Sequence, residues 1–312
     1  MGLSLSIVIP LYNMESTIRR TLNNLLKQIK AEDDIEIICI DDCSTDGTLK
    51  ILEEYQDLKV IKLNNRVTTG KCRNKGIEKA NKEFICFLDG DDLINLYTVR
   101  KIVNNINGAD IGIGTFDKYD CQKEEVMSSG HGIHIEIPDN TVIETKNIYN
   151  ILYQITNSAC WNKVFRKEFI DKHNLRFSDC VYAEDMAFTC CALTMSKKLL
   201  FVQDCMITYT HPSTNPKSND KNSVNTWSDL FKSFKHVEET IKYLKGNITN
   251  MEYNELLCTH LSDCVGNILY QKGKFREFNR EFAEKTLEFL EDLSKEMDNS
   301  IKEIEYKEIE HK

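Results

Sequence analysis

Short apolar runs recur along the first part of the chain, at residues 5–9, 35–40, 60–63, 84–88 and 111–114. Runs this short, apolar at consecutive positions, suit strands covered on both faces of a parallel sheet. Between them the spacing changes. Over 16–29, Ile18, Leu22, Leu25, Leu26 and Ile29 fall at helical intervals, and 48–55 and 71–80 predict further helices. Alternating strand and helix predicts a doubly wound α/β sheet for roughly the first hundred residues. Such sheets bind ligands beyond the carboxyl ends of their strands, which directs attention to the loops after Ile9, Ile40 and Leu88. All three are polar.

Further on the pattern weakens. Residues 118–147, with Gly, Ser and His, predict an excursion or lid; 148–173 predicts a helix, and 199–209 reads as a strand. After His211 a polar loop containing Pro212 and Pro216 leads into a mostly helical segment. Its last part, near 277–312, alternates acidic and basic residues, as a solvated helix or tail does.

Composition narrows the classes. The 312 residues are 41% hydrophobic and 29% charged, enough for a sizeable core. A net charge of −9 argues against a nucleic-acid partner, since phosphate binding needs dense Lys and Arg. No apolar run reaches the about eighteen residues that a spanning helix needs, so the expectation is a cytoplasmic protein. The twelve cysteines are scattered without CxxC pairs, and Cys39, Cys86, Cys190 and Cys191 sit inside apolar runs. That predicts reduced, mostly buried thiols and no structural zinc site.

Candidate chemistry lies where the strands end. Asp89-Gly90-Asp91-Asp92 follows the run 84–88, crowding three carboxylates onto one loop. They would repel unless a hard divalent ion such as Mg²⁺ or Mn²⁺ compensated them; alternatively one caps the next helix and the others are solvated. Asp41-Asp42-Cys43-Ser44-Thr45-Asp46-Gly47-Thr48 ends another strand, with Asp46-Gly47 a turn and one Asp left to meet a base or ribose, or simply a capped turn.

The order of four motifs resembles that of family 2 glycosyltransferases: Ser6-Ile7-Val8-Ile9-Pro10-Leu11-Tyr12-Asn13, Asp41 to Thr48, Gly70-Lys71-Cys72-Arg73-Asn74-Lys75-Gly76, and Asp89-Gly90-Asp91-Asp92. The match covers roughly the first 115 residues closely. It implies the GT-A fold, a doubly wound mixed sheet flanked by helices, with a C-terminal helical extension. The implied organisation is a nucleotide-sugar-binding half at 1–115, an acceptor-binding half at 116–215 and a helical region at 216–312. It also implies that Pro10, Tyr12 and Glu15 border the nucleotide base, that Asp42 binds uracil or its equivalent, and that Arg73 lies near base and diphosphate. Cys72 stands where the family has a small residue. Asp89 and Asp91 would form the metal-binding pair for Mn²⁺ or Mg²⁺, Asp91 as direct ligand and Asp89 nearer the ribose. Ala159-Cys160-Trp161-Asn162-Lys163 resembles a segment on the acceptor side, so Trp161 and Lys163 are expected to line it, unless the tryptophan is simply packed. In Tyr182-Ala183-Glu184-Asp185-Met186, Asp185 is the expected catalytic base, with Glu184 supporting it. His211, in a segment similar to a His-x-Ser-Ser element, would be a third metal ligand or touch the diphosphate.

The reaction implied is an inverting transfer from a nucleotide-diphosphate sugar, UDP-sugar by family habit, to a hydroxyl of a glycan or lipid-linked acceptor in bacterial surface polysaccharide synthesis. The mixed charge of the helical C-terminus gives no clear apolar or basic face, so packing or pairing with a second copy is expected ahead of peripheral docking on the inner face of the membrane. Two rivals remain: a non-catalytic binding module, against which Asp89, Asp91 and Asp185 speak, and a nucleotidyltransferase, for which the first strand lacks a Gly-rich basic loop.

Overall fold

The computed structural model describes residues 2–211 and 223–274, with 287–292, 294, 295 and 298. In chain order these build β1 (Ser4–Leu11), α1 (Ile18–Leu26), β2 (Asp34–Asp41), α2 (Thr48–Leu52), β3 (Leu58–Lys62), α3 (Thr69–Lys79), β4 (Phe84–Phe87), β5 (Leu93–Ile94) and α4 (Leu96–Asn105). There follow β6 (Ile111–Asp120), β7 (Glu125–His131), β8 (Thr141–Glu144), a 3₁₀ helix (Thr145–Ile151), β9 (Lys163–Arg166), α5 (Lys167–Lys172), α6 (Glu184–Met195), β10 (Lys198–His211), α7 (Ser223–Leu244) and α8 (Asn250–Lys274).

The strands form one ten-stranded sheet in the order β3-β2-β1-β4-β9-β6-β10-β5, with β7 on β6 and β8 on β10. Strands β1 to β4 run parallel, β9 runs antiparallel between β4 and β6, and β10 is parallel to β6. The sheet is mixed, as expected. Residues of β1 alternate between two cores. Ile7 and Ile9 pack with Ile18, Leu22 and Leu25 of α1 and with Leu96 and Val99 of α4, while Val8 joins Ile77 of α3 and Phe188 of α6 on the other face. The chain leaves β1 outward to β2 and β3, then crosses back to β4, so its carboxyl-end crevice opens at β1 and β4.

One expectation fails. Residues 148–173 are not a helix: after the 3₁₀ helix the chain turns into β9, where Val164 and Phe165 pair with both β4 and β6 and are fully buried. Apolar spacing was compatible with either state, and partners far along the chain decided it. Residues 118–147, read as an excursion or lid, contain the end of β6 and all of β7 and β8. Strand β6 continues to Asp120, hairpins into β7, and β8 returns against β10. The hairpin is exposed, so its sequence shows no buried face.

Helices α7 and α8 cover the sheet: Leu230, Phe234, Val237, Tyr253, Leu256 and Leu257 belong to the core cluster that contains Val8 and Phe87. All twelve cysteines are free and most are buried, as anticipated. Among the described residues no helix is long and apolar enough to cross a membrane. The proline-containing loop and most of the charged tail expected near 277–312 lie outside the described residues.

Candidate active site

The loops after β1 and β2 are zipped together by side chains bonding backbone. Asn13 N–H donates to Ser44 Oγ (3.0 Å), Thr45 N–H to Asn13 Oδ1 (2.8 Å), Met14 N–H to Thr48 Oγ1 (2.7 Å), and Gly47 N–H to Glu15 Oε2 (2.8 Å). Glu15, expected beside a base, is thus held on the Asp46-Gly47 turn. Pro10 is buried in β1 opposite Ile40. Asp42 is buried at the end of β2 and accepts from Val67 N–H (2.7 Å) and Arg66 Nε (3.1 Å). The Arg66 guanidinium also lies 3.2 Å from the centroid of the Tyr12 ring. Tyr12, Asp42 and Arg66 therefore form one cluster at the carboxyl ends of β1 and β2.

The Asp89 to Asp92 loop follows β4. Thr21 Oγ1 of α1 donates to both Gly90 O (3.1 Å) and Asp92 O (3.0 Å), while Arg20 and Thr210 bond Asp91 O. Gly90 is packed so closely that a Cβ would meet Leu11 Cδ2 at 2.6 Å. Asp92 turns inward and accepts from Thr210 N–H (2.8 Å), which ties the loop to β10. Asp89 and Asp91 remain partly accessible.

Arg73 of α3 connects this loop to α6. Buried at 3% exposure, its Nη2 donates to Asp89 Oδ1 (2.8 Å) and its Nη1 to Glu184 Oε1 (3.0 Å). Burial and the adjoining Asp185 push the Glu184 carboxyl up to about 7, against the pull of Arg73. Burial likewise raises Asp185, which Arg73 opposes and Asp89 reinforces. Both carboxylates occupy the first turn of α6, where the helix dipole favours negative charge. Close approach of α3 and the chain leading to α6 depends on Gly70: a Cβ there would lie 2.5 Å from Ser178 O and 3.3 Å from Glu184 Cβ.

The expected acceptor-side pair is packed inside. Lys163 is fully buried, and its Nζ donates to Asn157 O (2.9 Å), Ala159 O (2.8 Å) and Asn162 Oδ1 (2.9 Å). These oxygens favour its charged form although burial pushes its pKa down. An ammonium saturated in this way supports the 157–162 turn and does not line a cleft. Trp161, 9% exposed, stacks on Tyr209 at 5.9 Å and meets Phe116 edge-on at 4.7 Å, so packing accounts for most of its surface.

His211 is the last residue of β10, next in the chain to Thr210, whose hydroxyl bonds the Asp91 carbonyl; its side chain lies outside the described residues. Among the described residues no three His, Cys, Asp or Glu side chains form a group able to hold a metal ion. Asp89 and Asp91 nevertheless fit a hard divalent cation that takes its other ligands from phosphate and water, as Mg²⁺ commonly does. The loop that carries them is anchored through the backbone carbonyls of Gly90 and Asp91, and a cation there would share Asp89 with the Arg73 guanidinium.

Several residues around the site gave no local signal. Arg20, Thr21 and Thr210 act on a loop about 70 to 120 positions away, and Arg66 sits in a polar stretch. Asn74 stood within the quoted Arg-Asn element without a role; it donates to Phe177 O and accepts from Phe177 N–H, both at 2.8 Å.

The sequence model described as "Glycosyl transferase family 2" matches residues 6–173. Poly(ribitol-phosphate) beta-N-acetylglucosaminyltransferase TarS of Staphylococcus aureus is 42% identical over 99 residues, 30% of this chain and 17% of that protein. Putative glycosyltransferase EpsH of Bacillus subtilis is 29% identical over 293 residues, 89% of this chain and 80% of its own length. The chain thus spans less than a fifth of TarS but most of EpsH. The crystal structure of S. aureus TarS 1-349 in complex with UDP-GlcNAc superposes with a TM-score of 0.67 at 24% identity, covering 83% of this chain and 73% of that one.

Proposed function

Since the chain belongs to glycosyl transferase family 2 and has the GT-A fold, we propose that it transfers a sugar from a nucleotide diphosphate, a UDP-sugar, to a hydroxyl of a cell-surface glycan or its lipid-linked precursor. The observation that carries this reading is the Arg73 bridge. It joins the Asp89-Gly90-Asp91 loop to the first turn of α6, which supports reading the two as a donor site and a proton acceptor that serve one reaction. That TarS acts on poly(ribitol-phosphate) supports a surface glycan as the acceptor class.

In this reading the base lies between Tyr12 and Asp42, the place Arg66 now shields. Asp89, next to Arg73, meets the ribose. Asp91, together with Asp89 and His211, would hold Mn²⁺ or Mg²⁺, which when bound neutralises charge on the diphosphate. Asp185 accepts the proton of the acceptor hydroxyl as that oxygen bonds to the anomeric carbon. The bond from the anomeric carbon to the diphosphate oxygen breaks, its electron pair leaving with the nucleotide. Attack from the opposite side inverts the anomeric configuration. Glu184 and Arg73 keep Asp185 oriented and partly neutralised. The setting is the cytoplasm, at the inner membrane face where a lipid-linked acceptor is reached.

Titration calorimetry with UDP tests the donor half. UDP with Mn²⁺ should bind the native chain, Asp42→Ala should weaken it about tenfold or more, and Asp91→Ala should abolish the metal dependence. Binding unaffected by both substitutions would contradict the assignment.

A further inference from the structure

The chain from Phe177 to Ala183, which delivers Glu184 and Asp185, has no regular structure of its own. Its backbone must therefore find partners elsewhere. On one side Asn74 of α3 holds Phe177. On the other side the partners come from α7. Asp229 is 6% exposed, and its Oδ2 accepts from Val181 N–H (2.8 Å) and Tyr182 N–H (3.2 Å). Ser233 Oγ, fully buried one turn on, donates to Ala183 O (2.9 Å). Ala183 itself has φ +59°, in the left-handed region that an alanine avoids, and offers no side-chain cap to α6.

Three consecutive residues immediately before Glu184 are thus fixed by two side chains of one helix. Carboxylate-to-amide bonds are charge-assisted and strong, and a carboxylate buried this far is costly without them. Helix α7 lies beyond the family match, which ends at residue 173.

We propose that Asp229, assisted by Ser233, is a positioning residue for the reaction: α7 completes the active site by locking the 181–183 turn so that Asp185 points at the acceptor hydroxyl. The inference rests on the reading of Asp185 as base. It makes α7 part of the catalytic apparatus, and a base displaced by about 1 Å loses on the order of 100-fold in rate.

The test compares Asp229→Ala, Asp229→Asn and Ser233→Ala with the native chain, by hydrogen exchange and by donor turnover. In Asp229→Ala the amides of 181–185 should exchange at least tenfold faster, with those of β1 and β2 unchanged. Its kcat should fall about 10- to 100-fold with donor KM within about threefold. Asp229→Asn keeps an acceptor oxygen and should recover most of the loss. Should Asp229→Ala fail to fold, Ser233→Ala carries the test, with a three- to tenfold loss in kcat alone. Native kcat and native exchange in these variants overturn the proposal, as does a loss confined to KM. If the native chain turns over no donor, the functional reading fails, and the exchange data still decide whether Asp229 holds the turn.

Discussion

Arg73 is asked to satisfy two carboxylates from separate elements, and that obligation explains its burial. Removing it would leave Asp89 and Glu184 uncompensated, a situation that typically costs about 3–5 kcal/mol. The acids beside it carry a pH signature. Glu184 is pushed up to about 7 in the folded chain, above the ordinary glutamate value, so folding favours its protonated form. The stability this contributes is complete below the unfolded value near 4.3 and is lost as pH rises towards 7. Glu184→Gln is always neutral, so its melting temperature relative to native should improve from pH 5 to pH 8; a difference independent of pH would contradict the raised value. Because Glu184 and Asp185 interact, the measured midpoint belongs to the pair. Lys163 gives the opposite lesson. The family resemblance of its segment put it on the acceptor side, yet three carbonyl-type oxygens at 2.8–2.9 Å occupy it inside the protein, and sequence carries no sign of such local acceptors.

At the scale of elements, the site is three strand ends and one helix start, each braced by a neighbour. The strand ends were legible because β1, β2 and β4 are nearly continuous apolar runs that stop at polar loops. Thr68, to which the sequence reading gave no role, caps α3 by accepting from Lys71 N–H at 3.3 Å. What could not be read was pairing across distance. Strand β9 is decided by β4 and β6, and the turn before α6 is decided by α3 and α7. Gly70 is where two such elements meet, and Gly70→Ala tests the contact. A Cβ 2.5 Å from the Ser178 carbonyl forces the 177–184 chain outward. The expected outcome is a stability loss of about 1–3 kcal/mol, with activity falling further than UDP affinity. Denaturant unfolding beside calorimetry checks this; equal loss of affinity and activity would mean that the contact serves the whole fold.

Taken whole, the molecule is one sheet whose two faces are both covered, with α7 and α8 sharing the core of the α3 and α6 face. Strand–helix alternation gave the α/β class of roughly the first hundred residues from order alone, and four motifs gave the family. The assembly of the site is a property of the complete fold, since its parts come from β1, β2, β4, α3, α6 and α7. In the proposed function this assembly moves a sugar from a nucleotide diphosphate with Asp185 as base. The most direct test measures metal-dependent release of nucleotide from a panel of UDP- and GDP-sugars, with polyol-phosphate and glycan acceptors, for the native chain and Asp185→Asn. Release of one nucleotide, with kcat lowered about 100- to 10,000-fold in the variant while donor binding persists, is the predicted result. Equal rates in the two proteins, or donor binding with no transfer to any acceptor by the native chain, would contradict it.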